Sequence, residues 1–255
     1  MKKIAVVTGA SSGMGRDFVF AADREFRPEE IWVIARREKR LLELQSQVRA
    51  KIVPFAMDLS DTASFSRYEA ALKEENPQIE GLVNAAGYGK FCTFRDMELP
   101  EQLGIVDLNA RALTAMCHIS IPYMTRGSKI VNLGSNSSWQ PVPYMSVYGA
   151  SKAYVLSFSR ALGRELKKDG IGVLCVCPGW VRTEFMDRAV RDNTISFFDR
   201  WYESKDVVDR AMRDLRRGKS VSVLGFPVRM QVRLVKHLPV DTVMNIWCKQ
   251  QKKEI

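Results

Sequence analysis

Histidine is almost missing from this 255-residue sequence, with only His118 and His237 present, and neither lies near a carboxylate-rich motif. Metal chemistry is therefore not expected. Cysteine is sparse and scattered: Cys92, Cys117, Cys175, Cys177 and Cys248 are odd in number, and most have apolar neighbours. Such a set reads as buried free thiols rather than a disulfide framework. Cys175-x-Cys177 lacks both the two-residue gap and the second ligand pair of a zinc site. No apolar run reaches the ~18 residues of a membrane-crossing helix, and the stretch after Met1-Lys2-Lys3 is too short for a secretory signal. A cytoplasmic protein is the expectation. Internal repeats, low-complexity runs and Pro/Gly-rich linkers are absent too, and 46% hydrophobic residues suffice for one large core.

Charge is present in excess of one sign, +10 overall, with Arg36, Arg37, Lys39 and Arg40 in one cluster and Arg229, Arg233, Lys236, Lys249, Lys252 and Lys253 spread over the C-terminal tail. Neither group has the interleaved aromatics of a single-strand nucleic-acid platform, so no nucleic-acid partner is expected. Short β-branched runs near 3–8, 31–35, 51–55, 80–83, 128–133, 171–176 and 219–223 alternate with helical patterns near 14–26, 37–49, 61–75, 101–125, 146–168 and 204–217. That alternation predicts an α/β chain: a single, Rossmann-type doubly wound domain with a seven-stranded parallel sheet and helices on both faces. The expected division is a domain over 1–224, including an irregular substrate lid at 184–203, and a helical extension over 225–255.

The first strand runs straight into Thr8-Gly9-Ala10-Ser11-Ser12-Gly13-Met14-Gly15 and then a helix. Glycines allow a tight turn and close backbone approach to a pyrophosphate, and the helix N-terminus offers unpaired N–H groups. Gly9, Ser11, Ser12, Gly13, Met14 and Gly15 are thus candidate dinucleotide contacts, with a plain Gly-rich turn as the alternative. The second strand ends in Ala35-Arg36-Arg37, where an NAD-specific fold usually has an acidic residue. Arginine there fits a 2′-phosphate, with Arg36 the first choice and Arg37 the second, or else both decorate the next helix. Asp58, with Leu59 beside it, is expected at the adenine edge.

Tyr148-Gly149-Ala150-Ser151-Lys152 places a phenol and an ammonium four residues apart on one helix face. A neighbouring ammonium favours the ionised phenol and suits it to proton transfer, although many solvated helices carry such a pair. Ser135 follows a strand thirteen residues before Tyr148, which puts both at the carboxyl end of the sheet.

With these motifs the sequence resembles the short-chain dehydrogenase/reductase family over about residues 3–223. The family's Thr-Gly-x-x-x-Gly-x-Gly loop is matched at Thr8 to Gly15, and its Asn-Asn-Ala-Gly turn at Asn84-Ala85-Ala86-Gly87, where alanine replaces the second asparagine. The resemblance implies an active site of Asn109, Ser135, Tyr148 and Lys152. It further implies cofactor contacts at Asn84, Ala85, Ala86, Gly87, Tyr148, Lys152, Pro178, Gly179 and Thr183. By the same resemblance Ser135 binds the substrate oxygen and Tyr148 exchanges its proton. Lys152 binds the nicotinamide ribose and lowers the tyrosine pKa, and Asn109 holds a water. An NADP(H)-dependent oxidoreductase interconverting a secondary alcohol and a ketone follows, assembled as a homodimer or homotetramer.

Phe185, Phe198 and Trp201, in a lid that also holds Met186, Phe197 and Tyr202, point to a bulky hydrophobic substrate such as a hydroxysteroid, bile acid or lipid, unless these side chains merely cap the sheet. A small-ketone or sugar reductase, or a non-catalytic NADP(H) sensor, remains the alternative. The tail from Gly225 reads as two short amphipathic helices broken at Pro239. It covers the substrate mouth or a subunit interface, touches a membrane peripherally, or only decorates the surface.

Overall fold

Seven short runs rich in Val and Ile form one parallel sheet. They are β1 (Lys3–Thr8), β2 (Glu30–Ala35), β3 (Lys51–Ala56), β4 (Gln78–Asn84), β5 (Met124–Leu133), β6 (Gly172–Val176) and, after an intervening pair of strands, β9 (Val221–Ser222). The computed structural model describes residues 1–189 and 195–253. The strand order is β3-β2-β1-β4-β5-β6-β9, and every neighbouring pair is parallel. The order reverses between β1 and β4, which opens a crevice beyond their carboxyl ends.

Both sheet faces are buried because successive strand side chains point to opposite sides and each side meets helices. Ile4 and Val6 of β1 join one core, together with Trp32, Leu82 and Ile130. Ala5 and Val7 join the other, with Val33, Val83 and Val131. The first core is closed by α3 (Ala63–Glu75), α5 (Leu113–Ser120) and α6 (Ser146–Glu165) through Leu72, Met116 and Val155. The second is closed by α1 (Gly13–Phe26) and α8 (Ser204–Arg216), which pack on one another and supply Phe18, Val19, Val207 and Ala211. In α8 the buried Val207, Val208, Ala211, Met212 and Leu215 fall at helical spacing, with arginines outside them.

Three segments depart from the expected elements. The helix expected over 37–49 is α2 (Glu38–Leu42) followed by a 3₁₀ turn, Glu43–Gln47. The helix expected over 101–125 is α4 (Leu99–Val106), a π-helical turn Asp107–Ala112, and α5. Pro122 then lies in a 3₁₀ turn, Ile121–Tyr123, because its ring cannot continue the helix, and Met124 already begins β5. The insert expected to be irregular contains α7 (Phe185–Ala189) and β8 (Trp201–Glu203), and β8 pairs with β7 (Trp180–Arg182) in a small parallel sheet of its own. Residues 190–194 of the expected lid and 254–255 of the expected helical extension lie outside the described residues.

The tail forms α9 (Phe226–Leu234) and α10 (Val240–Gln250), with Pro239 just before the second. Val228 and Val232 of α9 are buried in the first core. Among the described residues, no helix is long and apolar enough to cross a membrane.

Candidate active site

The loop after β1 is shaped by its close contacts. Gly9 has φ of 69°, and a Cβ there would lie 2.8 Å from the backbone nitrogen of Ala86. A Cβ on Gly15 would lie 2.1 Å from the Gly9 carbonyl oxygen. Only glycine fits at either place. Ser12 precedes α1 in extended conformation and makes no side-chain cap. The first N–H groups of the helix, from Gly13 onward, therefore remain available to an anion. Thr8 Oγ1 accepts the N–H groups of Ala85 and Ala86, both at 3.1 Å, and so ties this loop to the turn after β4. That cradle fits a dinucleotide pyrophosphate. Asn84 faces inward instead: its amide donates to Asn132 Oδ1 at 2.9 Å.

At the end of β2 the two arginines part company. The Arg37 guanidinium bonds the hydroxyls of Ser11 (3.0 Å) and Ser12 (2.8 Å), and it pairs with Glu184 at 2.7 Å. Arg40 takes the other Glu184 oxygen. Hydrogen bonds from Arg37 and then Arg40 hold the Glu184 carboxyl below its ordinary pKa. Arg36 lies 3.5 Å from Asp58. Burial opposes ionisation of Asp58, but hydrogen bonds from Ser60 and the Arg36 charge outweigh it and bring the pKa down. Arg37, bonded to the serine-bearing loop, and Arg36 beside it both line the cavity, and guanidinium groups so placed are donors suited to a phosphate ester.

Tyr148 and Lys152 stand one turn apart near the start of α6. Lys152 is 5% exposed, and its ammonium donates to the Leu133 carbonyl at 2.7 Å. It lies 5.7 Å from the centre of the Tyr148 ring. Ser135 follows β5 and opens a 3₁₀ turn, Asn136–Trp139, with its hydroxyl accepting the N–H of Ser137 at 3.2 Å. In the protein alone, burial dominates the ionisation of both groups. Burial pushes Tyr148 up to about 12, with Ser135 as the group acting against it. Burial also pulls Lys152 down to about 8. Desolvation is the leading cause of both shifts, and the Lys152 ammonium donates a hydrogen bond to the Leu133 carbonyl.

Asn109 sits in the π turn, a feature often found at functional sites. Its amide donates to the Tyr88 carbonyl (2.9 Å) and Ser151 Oγ (3.0 Å), while its oxygen accepts the Tyr88 N–H (3.0 Å). A Cβ on Gly87 would touch Asn109 Oδ1 at 2.8 Å and approach Lys152 Nζ at 3.5 Å, so the two side chains flank that glycine.

One cavity of about 490 Å³ runs through these residues. The glycine loop, Arg36, Arg37, Asp58, Leu59, Ala85, Ala86, Gly87, Ser135, Tyr148, Lys152, Pro178, Gly179, Thr183 and Phe185 all line it. Four of the expected site residues do not. Asn84 and Asn109 are buried behind the wall. Phe198 and Trp201 pack on the Trp180 ring, with centroids at 4.8 and 6.3 Å, so Trp180 faces the cavity in their place. Trp180 escaped the sequence reading although it directly follows the Pro178-Gly179 turn, which was its available signal. Val142 and Met145, between Ser135 and Tyr148, were missed as well. The tail supplies Leu234, Leu238, Val243, Ile246 and Trp247 to the same wall, and Trp247 Nε1 donates to the Pro143 carbonyl at 3.0 Å.

A family model described as short chain dehydrogenase matches residues 3–194. The chain belongs to the short-chain dehydrogenase family. It is an oxidoreductase acting on alcohols or ketones. Among curated short-chain dehydrogenase relatives, sulfoacetaldehyde reductase 2 of Chromohalobacter salexigens is 34% identical over 193 residues, which cover 72% of this chain and 75% of that one. Among solved structures, a short-chain dehydrogenase from Sphingobium yanoikuyae in complex with NADPH superposes with a TM-score of 0.77 at 28% identity, over 95% of both chains. The bulky-bulky ketone specific alcohol dehydrogenase from Comamonas testosteroni gives 0.74 at 26% identity, over 93% of this chain and 91% of that one.

Proposed function

We propose that this short-chain dehydrogenase is NADP(H)-dependent and interconverts a secondary alcohol and a ketone on a bulky hydrophobic substrate. The observation that carries the reading is the placement of Ser135, Tyr148 and Lys152 on one cavity whose far end holds Arg37 bonded to Ser11 and Ser12. When bound, the nicotinamide supplies or accepts the hydride. With its pKa at about 12, Tyr148 carries its proton at neutral pH and is set to give it to a carbonyl oxygen. Ser135 donates a second hydrogen bond to that oxygen as charge develops on it. Lys152 uses one proton on Leu133 and has two left for the hydroxyls of the nicotinamide ribose. Asn109 fixes Tyr88 and the Tyr148–Ser151 turn, since Ser151 Oγ also donates to the Tyr148 carbonyl at 2.7 Å.

Bulk is supported by the apolar wall of Val142, Met145, Trp180, Phe185, Val243 and Trp247, and by the likeness to an enzyme specific for ketones with two bulky groups. Preference for the 2′-phosphorylated cofactor rests on Arg37 and Arg36, with no acidic residue at the end of β2. The five free thiols fit a cytoplasmic setting. Homodimerisation or tetramerisation is supported by the exposed row Leu99, Leu103 and Val106 on α4, with Phe94 and Tyr154.

A panel of small and steroid-sized ketones, assayed with NADPH and NADH in turn, tests the whole reading. Charge-assisted contacts to a phosphate are worth ~1.5–3 kcal/mol each, so catalytic efficiency should favour NADPH at least about tenfold. Arg37→Ala should remove most of that preference. Equal or better use of NADH by the unaltered protein would overturn the cofactor assignment.

A further inference from the structure

The outer face of the tail is apolar where a solvated helix would be polar. On α9, Val228 and Val232 are buried, yet Phe226 (66% exposed), Met230 (45%) and Leu234 (57%) form a second row on the opposite side. They recur every four residues and so lie along one stripe. Helical geometry puts Arg229 and Arg233 along one flank of that stripe. Pro227 and Gln231 lie on its other flank, and both line the cavity. Leu234 belongs to stripe and cavity wall at once, as does the exposed Ile246 of α10. Exposed Phe197 of the lid lines the cavity too. Its backbone is bonded to Gln251 just beyond α10, at 2.9 Å through N–H and 3.2 Å through the carbonyl. The apolar stripe therefore reaches the cavity wall at Leu234, and exposed Ile246 and Phe197 belong to the same wall.

Charge singles out the occupant. The segment 225–255 holds six basic residues against two acidic ones, and among the described residues no carboxylate pairs with any of the six. Lys249 follows Ile246 by three positions on α10 and so shares its side of the helix. A second copy of the chain would bring equal positive charge to this face. The exposed row on α4, by contrast, has acidic Glu98, Glu101 and Asp107 among its basic neighbours and carries no such excess. An apolar stripe edged by cations without carboxylate partners matches the interfacial region of a bilayer containing anionic phospholipid.

We infer that α9 and the C-terminal half of α10 dock on an anionic phospholipid surface with the cavity mouth facing the lipid. Phe226, Met230, Leu234 and Ile246 enter the acyl boundary, and Arg229, Arg233 and Lys249 meet the lipid phosphates. The docking does not depend on which ketone is turned over. It would give a lipid-dissolved substrate a path into the cavity that never crosses water.

Flotation of the full chain with vesicles tests this, using phosphatidylcholine alone and phosphatidylcholine mixed with phosphatidylglycerol. The mixed vesicles should bind at least about tenfold more protein, and added salt should reverse this, because each basic residue near such a surface contributes roughly fivefold. The double substitution Phe226→Ser with Met230→Ser should reduce binding by about tenfold or more. Arg233→Gln should reduce it only on the anionic vesicles. NADPH binding, read by fluorescence, should be retained in every variant and so report an intact fold. The inference is overturned if the unaltered protein stays unbound on anionic vesicles, or if it floats equally on both kinds. It is also overturned if the serine pair lowers the molecular mass seen by light scattering while flotation is unchanged, since the stripe would then face a second copy.

Discussion

Lys152 is buried beside Tyr148 with no carboxylate paired to it among the described residues, and its pKa falls from 10.5 to about 8. An unfolded chain would hold that proton up to about pH 10.5, so between the two values the unfolded state binds more protons than the folded one. Stability contributed by this residue therefore rises with pH across that window and is at its lowest below pH 8, by roughly 3 kcal/mol. Tyr148 acts in the opposite sense: raised to about 12, it loses stability only above pH 10, where the unfolded phenol ionises first. Denaturant titrations of the unaltered protein and Lys152→Met should diverge most below pH 8, with the variant gaining relative stability there, and converge by pH 10.5. A pH-independent difference would mean that the ammonium is not the titrating group. Activity should move the other way, since Lys152→Met loses both cofactor affinity and rate. Tyr148→Phe removes only a hydroxyl, so turnover should fall below a few per cent of the original while NADPH affinity, measured by fluorescence titration, changes less than about threefold. Retention of substantial turnover would require another proton donor on the cavity wall.

Elements whose chemistry is local were legible in the sequence. The strands, the glycine loop at the start of α1, and the Tyr148–Lys152 pair on α6 each follow from spacing of two or four residues, and the structure places all of them within one residue or a few of where the pattern put them. What escaped depends on contacts between distant segments. A π turn around Asn109 leaves the 3.6-residue pattern almost unaltered, so α4 and α5 read as one helix. Aromatic composition marked the lid but not which way its rings turn, and Phe198 and Trp201 went to Trp180. The pairing of β7 with β8 and the anchoring of the lid to the tail had no local signal at all. That anchor is Gln251, 1% exposed, whose side-chain oxygen accepts the N–H groups of Ser196 and Phe197 at 3.0 and 2.9 Å. Gln251→Ala would leave two backbone donors and one carbonyl without their partner, enough to free this part of the lid. The Michaelis constant for a steroid-sized ketone should then rise about tenfold, while that for a small ketone and the NADPH affinity stay near their original values. Equal loss for both substrates would make Gln251 a support of the fold rather than of the pocket.

On the scale of the whole molecule, most exposed apolar side chains among the described residues gather at two places: the cavity mouth, and the surface of α4 and α6. The second patch consists of Leu99, Leu103 and Val106, which share one side of α4, with Phe94 before it and Tyr154 on α6. Tyr154 and Phe158 stack with ring centroids 5.8 Å apart. Helices α4 and α6 pack on one another, α6 carries Tyr148 and the turn after α4 carries Asn109, so a partner on their outer face would stiffen the walls of the active site without contributing a residue to it. A stable two-fold interface typically buries ~1,200–2,000 Å² in total, and a charge set at its centre is left without water or a counterion. Leu103, 53% exposed and central in the row, is the position to probe. Leu103→Glu should convert a dimer or tetramer into smaller species by light scattering, because two copies of the carboxylate would meet near the symmetry axis, while the monomer's core is untouched. Cofactor affinity should persist and the rate should fall, since the helix pair loses its external support. Flotation on anionic vesicles should be weakened only through lost multivalency, leaving the preference for anionic over neutral lipid intact. If Leu103→Glu left the mass unchanged while Phe226→Ser reduced it, the two apolar surfaces would have exchanged roles, with self-association at the tail and α4 free.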